Sequence, residues 1–194
     1  LVAFTTPVLQ SEGAGPIFNE VTCAGCHNVP AIGGFGTRRV TRFGVAAANG
    51  APFQSLDGFG GTLLQDQFFD IGCRETVPVQ ATVTAERGTP ILFGLGLLEA
   101  IPESVLLDRA ANQPFGLAGR VHMVQPFEDP TGPQRVGRFG WKGGIATVES
   151  FSLDAALNEM GLTSPELPFE NAPNGDLTLL AQCDTVADPE DLPD

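Results

Sequence analysis

The chain has 194 residues, which is enough for one domain with a substantial hydrophobic core. Its hydrophobic content of 42% excludes a disordered chain, and its 24 glycines and 16 prolines predict many turns and irregular loops. The formal net charge of −13 disfavours binding to nucleic acid or anionic membranes and would attract a basic protein partner at low salt, although the same charge also serves solubility.

The N-terminal half is predicted to contain little regular structure. Residues 1–16 are expected to form an extended arm that ends in a glycine-rich turn, and residues 17–27 a short helix with apolar contacts at its start. The glycine cluster at 33–36 should stop any regular element. Residues 37–61 are then expected to be irregular, and residues 81–84 to form a short strand.

Two helices are predicted in the C-terminal half. Pro102 suits the first turn of a helix that runs to about Asn112. Thr147 is a favourable N-cap for a second helix that extends to Met160, and Gly161 can end that helix in a left-handed conformation. No apolar run approaches the roughly 20 residues of a membrane helix, so no membrane span is predicted.

Residues 23–27 read Cys-Ala-Gly-Cys-His, which is a haem-attachment motif. The thiols of Cys23 and Cys26 can add to the two vinyl groups of one porphyrin, while His27 lies beneath the iron. Thioredoxin-like chemistry would need a βαβ setting, which the glycine-rich flanks do not offer. A zinc site normally needs four Cys or His ligands, and the isolated residues that remain are Cys73, Cys183 and His122. We therefore predict one covalent haem c with His27 as the proximal iron ligand.

Other side chains near the motif are candidates for holding the haem. A backbone carbonyl near Pro30 could accept the Nδ1–H of His27 and strengthen the imidazole as a ligand. Arg38 and Arg39 either pair with the haem propionates or are ordinary surface arginines. Phe35 is a candidate aromatic contact of the porphyrin.

The second axial ligand is open between Met160, Met123 and His122. A thioether ligand raises the reduction potential, a second imidazole lowers it, and an empty position permits chemistry at the iron. The sequence also leaves open whether Cys73 and Cys183 form a disulfide or remain two buried thiols.

Covalent haem attachment and stable disulfides both belong outside the cytoplasm. We therefore expect an exported protein, periplasmic or extracellular. The start of the sequence lacks the basic region of a signal peptide, so we expect that it begins after processing or is the visible part of a longer chain.

Five sequence blocks carry a resemblance to a known family. They are residues 15–19, 23–27, 90–102, 137–142 and 159–163, in the expected order. On these blocks the chain resembles the N-terminal haem half of the di-haem oxidoreductases, also called thiol oxidoreductases, which are relatives of bacterial di-haem cytochrome c peroxidases and MauG. The resemblance implies a mainly α, cytochrome c-like haem domain with long irregular loops rich in glycine and proline and with little β structure.

The resemblance also implies roles for three residues. Trp141 would correspond to the tryptophan region between two haems, and so would lie on an electron path. Glu159 would correspond to the acidic residue on the distal side of the peroxidatic haem, where it would shuttle protons as a catalytic residue. Met160 beside it becomes the leading distal ligand. Two features depart from the family pattern, since a second Cys-x-x-Cys-His is absent from these residues and Phe151 stands where the family tends to place a glutamine.

The sequence thus predicts an arm at 1–16, a haem domain at 17–165, and an acidic segment at 166–194 that leads towards a missing second domain. The predicted function is electron transfer to or from a partner haem or protein. The alternatives are a peroxidase-type haem oxidoreductase, or its catalytic half, and a subunit that merely retains the haem. The expected partner is a redox protein or a second haem domain, and neither nucleic acid nor a membrane.

Overall fold

The structure is a computed structural model that describes residues 2–48, 50–114 and 116–186. The chain divides into two compact units. Unit 1 comprises Leu1–Leu92 and Ala155–Asp194, and unit 2 comprises Phe93–Asp154. The predicted haem motif lies in unit 1. None of the helices in the described residues is long and apolar enough to cross a membrane.

Helices and small sheets both occur in the described residues. Each sheet has two antiparallel strands, and the pairs are β1 with β3, β2 with β4, and β5 with β6. In chain order the elements are α1 (Val2–Thr5), β1 (Ile17–Phe18), α2 (Cys23–Cys26), β2 (Arg39–Gly44), β3 (Gln67–Phe68), β4 (Val83–Gly88), α3 (Leu95–Glu99), α4 (Glu103–Ala111), β5 (Met123–Val124), β6 (Arg135–Val136), α5 (Val148–Met160) and α6 (Leu177–Cys183).

The prediction of a mainly α fold is wrong, because the described residues are 29% helix and 16% strand and therefore form a mixed structure. The largest difference is β2, which forms where irregular chain was expected and pairs with β4 from Arg39 opposite Gly88 to Gly44 opposite Val83. β-Branched residues in both strands favour extended backbone. Their partners are about forty positions apart in the sequence, so local patterns do not reveal the pairing.

The N-terminal expectations also need correction. The first sixteen residues contain α1 and a 3₁₀ turn at Gln10–Glu12 instead of a fully extended arm. Residues 17–27 are not one helix, since β1 occupies their start and helix is confined to α2. The physical reason is Thr22, which has extended backbone and accepts the Gly25 N–H with its hydroxyl, so that the helix begins only at Cys23.

The two C-terminal helix predictions are confirmed by α4 and α5. Gly161 ends α5 with a φ of 68°, as expected of a left-handed cap. A Cβ at this position would lie 2.9 Å from the nitrogen of Gly15 and 3.0 Å from the carbonyl oxygen of Ile17. Glycine is therefore required both by the turn and by the close approach of the chain segment that precedes the haem motif.

The isolated cysteines form a disulfide, Cys73–Cys183, which excludes the alternative of two free thiols. It joins the 3₁₀ turn Ile71–Cys73 to the end of α6, and both cysteines are buried. Beside it, the buried carboxylate of Glu75 accepts the backbone N–H groups of Gln65 and Asn174. Desolvation by burial raises the pKa of Glu75, and these two hydrogen bonds oppose that effect.

In unit 2 the side chain of Arg138 is only 7% exposed and binds the end of α3. Its guanidinium donates to the carbonyl oxygens of Leu98, Glu99 and Ile101, at 3.0, 2.9 and 2.7 Å. These carbonyl acceptors lie at and just beyond the end of α3, so the arginine caps that helix. These hydrogen bonds connect the sequence block at residues 137–142 to the end of α3 within this unit.

Candidate haem site

The two thiols of the motif lie on one short helix that is held at both ends. Thr22 caps α2 at its start, where its hydroxyl accepts the Gly25 N–H at 2.8 Å. His27 ends it and donates its own backbone N–H to the carbonyl of Cys23 at 2.9 Å. Cys23 and Cys26 are free thiols on partly exposed residues, so neither is consumed by a disulfide.

The imidazole of His27 is oriented by the loop that follows it. Its Nδ1 lies 3.2 Å from the carbonyl oxygen of Gly34. A carbonyl oxygen can only accept, so this contact requires the tautomer with the proton on Nδ1. In the neutral imidazole the lone pair is then on Nε2, which would be the atom to bind a metal, as in histidine–metal sites where a backbone carbonyl holds the other ring nitrogen. From the sequence, the acceptor was expected to be a backbone carbonyl near Pro30. It is the carbonyl of Gly34, four residues after Pro30.

Close backbone packing beneath the motif explains the glycine cluster. A Cβ at Gly34 would collide with the carbonyl of Val29, and one at Gly36 would collide with the carbonyl oxygen of Cys26. The loop is closed by paired hydrogen bonds between Val29 and Phe35, at 2.8 and 2.9 Å. The glycines therefore bring the Gly34 carbonyl under the imidazole.

Burial raises the pKa of both motif thiols. For Cys26 the pKa rises to about 11, since desolvation and the charges of Glu20 and Glu159 outweigh the opposing charge of Arg38. The pKa of Cys23 is raised mainly by desolvation. Redox-active and zinc-binding cysteines have lowered pKa values and react as thiolates. Burial therefore disfavours the thiolate form that thioredoxin-like exchange uses. Among the described residues, no cluster of three or more His, Cys, Asp or Glu side chains could hold a metal ion.

The two predicted propionate arginines are engaged with carboxylates in this structure. Arg38 lies between Glu20, at 3.4 Å, and Asp66, at 3.0 Å. Arg39 lies 3.9 Å from Glu86 in an exposed pair that contributes little to stability. Of the two arginines, Arg38 is the one whose charge influences the motif, because it opposes the rise in the pKa of the Cys26 thiol.

Apolar side chains on and next to this loop are exposed. Phe35 is 47% exposed, and Ile32 on the same loop is also exposed. Ile91 is exposed as well, and it precedes Leu92, whose backbone N–H donates to the carbonyl of Gly33. Such apolar surface beside an oriented imidazole and two thiols suits a flat hydrophobic group. The ring of Phe4 lies 6.5 Å from that of His27. Phe4 was not predicted, since nothing in the sequence connects it to the motif.

The end of α5 contacts the haem motif directly. The sulfur of Met160 lies 3.6 Å from that of Cys23, and Met160 is only 7% exposed in a cluster with Ala156 and Leu162. The carboxylate of Glu159 accepts a hydrogen bond from the side chain of Asn19 at 2.8 Å. Glu159 and Met160, which the resemblance had linked to the haem, therefore lie beside the attachment segment.

The other three predicted site residues belong to unit 2. His122 and Met123 are exposed, with Met123 in β5. Trp141 lies in a tight turn closed by hydrogen bonds between Phe139 and Ile145, and it is 57% exposed. Trp141 is therefore not a core residue of unit 2.

Comparison with known proteins agrees with these observations. A family model described as "Di-haem oxidoreductase, putative peroxidase" matches residues 74–181, which is more than half of the chain. The chain belongs to this di-haem oxidoreductase family. No curated protein and no solved structure gives a significant match. Membership of the family implies a haem cofactor and an oxidoreductase function.

The donor set fits the cofactor that the di-haem oxidoreductase family implies. Cys23 and Cys26 would hold the porphyrin and His27 would bind the iron, although the matched region begins after these residues. A bound haem would supply a one-electron iron couple or, with an accessible iron, a site for peroxide chemistry. The matched region does include Glu159, Met160 and Trp141.

Proposed function

We propose that this chain is a c-type cytochrome module that holds one covalent haem and exchanges electrons with a partner haem or redox protein. The observation that carries the proposal is the Nδ1–H hydrogen bond from His27 to the carbonyl of Gly34, next to two thiols on one helical turn. A hydrogen bond of this kind fixes the tautomer in which Nε2 can bind iron, and the two thiols beside it are the second part of a haem-attachment motif.

For the distal side we propose Met160 as the sixth ligand, ahead of His122 and Met123. The support is its burial and its contact with Cys23, which keep a thioether at the attachment turn. In the oxidised protein we expect a weak methionine–iron charge-transfer band near the red end of the visible spectrum. Met160→Ala should remove that band completely while covalent haem content stays unchanged. Met123→Ala is the matched control and should keep it; loss of the band in that variant instead would transfer the role.

A second candidate function is peroxidase-type chemistry, which the family name and one contact favour. The Glu159 carboxylate is fixed by Asn19 beside the haem motif, where a carboxylate could move protons to and from a bound peroxide. A peroxidase cycle also needs a supply of electrons, and the residues of this chain offer one attachment motif. We therefore place electron transfer first.

The order of the two functions can be tested on the haem-loaded chain. We expect a reversible one-electron wave at an electrode and only slow peroxide reduction with a small reducing dye. Glu159→Gln should leave the wave reversible and change the slow turnover by less than about tenfold, a modest loss for one general acid–base group. Sustained peroxide reduction that falls by about a hundredfold or more in Glu159→Gln would reverse the order.

We further propose that Trp141 is an exit point for electrons, supported by its exposure in the turn of unit 2. Residues 151–194 carry ten acidic residues and no lysine or arginine, which would favour a redox partner with a basic surface. Covalent haem and the Cys73–Cys183 disulfide together support a location outside the cytoplasm.

A further inference from the structure

Asn19, four residues before Cys23, is a deeply buried polar residue with 1% of its surface exposed. Its Nδ2 donates to Oε2 of Glu159 at 2.8 Å, and its Oδ1 accepts the backbone N–H of Asp66 at 3.1 Å. The backbone N–H groups of Asn19 and Glu20 both donate to the carbonyl oxygen of Glu159, at 2.8 and 3.0 Å. The segment just before Cys23 therefore holds Glu159 by both its main chain and its carboxylate.

Only a carboxamide satisfies both side-chain contacts at this position. The NH₂ group must donate to a carboxylate while the oxygen accepts an N–H. Aspartate would have the right shape but would place a second acceptor against Glu159. Leucine would leave both the Glu159 carboxylate oxygen and the Asp66 N–H without this partner, which is costly for buried groups. The fold alone would not demand the contact to Glu159, since the two backbone hydrogen bonds already join the segments.

We propose that Asn19 is a positioning residue that keeps the carboxylate of Glu159 directed at the haem-attachment turn. The inference rests on the proposed haem site and on the candidate role of Glu159 in it. The contacts of this helix end support the direction, because the carboxylate is hydrogen-bonded to Asn19 four residues before Cys23 and the sulfur of the adjacent Met160 lies 3.6 Å from that of Cys23. Without Asn19 the carboxylate would lose this hydrogen bond and be held less firmly at the turn, and its average field at the haem would fall.

The test is a double-mutant cycle on the reduction potential of the haem-loaded chain, measured by spectroelectrochemistry at one pH. A negative charge near the iron stabilises the ferric state. Glu159→Gln should therefore shift the ferric/ferrous equilibrium towards the ferrous state on the order of tenfold, or about 59 mV for one electron. Asn19→Leu should shift it in the same direction, and the double variant should match Glu159→Gln alone. The matched control is Asn171→Leu, which removes an amide that donates to the carbonyl of Leu157 in the same helix and should leave the potential unchanged.

A merely structural role of Asn19 would give a different pattern. Asn19→Leu would then lower the stability to denaturant with the potential at its wild-type value, or would shift the potential equally with and without the Glu159 carboxylate. Either result overturns the proposal. If the leucine variant does not fold, Asn19→Ser replaces it in the cycle, and a Glu159-dependent shift is again expected and its absence again contradicts the proposal. Failure of the wild-type chain to hold covalent haem would instead refute the proposed function.

Discussion

Replacing both motif cysteines with serine should abolish covalent haem retention. Wild-type protein should keep its haem through acid–acetone extraction and give a c-type pyridine haemochrome spectrum after denaturation. The Cys23→Ser/Cys26→Ser variant should lose all haem in the same extraction, because serine fills the same space but cannot form the thioether bonds. The Thr22 cap and the His27–Gly34 contact do not depend on the sulfurs, so α2 should still form.

The matched control for this experiment lies in the same chain. Cys73→Ser/Cys183→Ser removes two other sulfurs that the structure places in a disulfide, and it should leave the haem covalently bound. Covalent haem in the motif variant, or wild-type protein that contains zinc and no haem, would contradict the proposed site. A variant with only Cys26→Ser should keep the haem through the single thioether of Cys23. Because His27 is unchanged in this variant, it tests covalent attachment without altering the proposed iron ligand.

The sequence predicted those parts of the site that depend on local chemistry. The Cys-x-x-Cys-His spacing and the glycine end of α5 both follow from residues within a few positions of each other, whereas the acceptor for His27 was expected near Pro30 and is the carbonyl of Gly34. Glu159 and Met160 came from the resemblance, and the structure brings both to the motif. A fixed local pattern leaves the backbone few alternatives, so such features are predictable.

Contacts between distant residues were not predictable in this way. Asn19 and Glu159 are 140 positions apart, and neither the hydrophobic pattern nor the turn residues indicate their hydrogen bond. The pairing of β2 with β4 was missed for the same reason, which made the predicted fold too helical. Arg38 was predicted to bind propionate, and its carboxylate partner Asp66 lies 28 positions away. Burial and tertiary pairing, rather than propensity, determine these features.

The Cys73–Cys183 disulfide should contribute the largest single term to stability outside the haem site. It joins residues 110 positions apart, and closing a loop of that length restricts the unfolded chain. Cys73→Ala/Cys183→Ala should lower the free energy of unfolding by about 4 kcal/mol, with a range of roughly 2–5. Urea denaturation followed by circular dichroism would measure the loss, and the m-value should rise because the unfolded chain becomes less compact.

The control uses the haem-loaded protein, in which the motif sulfurs are proposed to be held as thioethers. A thiol reductant should then act only on the Cys73–Cys183 bridge. It should move the urea midpoint of the wild type towards that of the alanine variant and leave the midpoint of the variant unchanged.

Part of the loss of stability will be local, because Gln10 donates to the carbonyl of Cys183 and the backbone N–H of Asn174 donates to Glu75 near the bridge. Gln10→Ala in the oxidised protein measures the first of these, and we expect about 1 kcal/mol, far less than the effect of opening the loop. An unchanged midpoint on reduction would show that packing of α6, and not the covalent link, holds this end of unit 1.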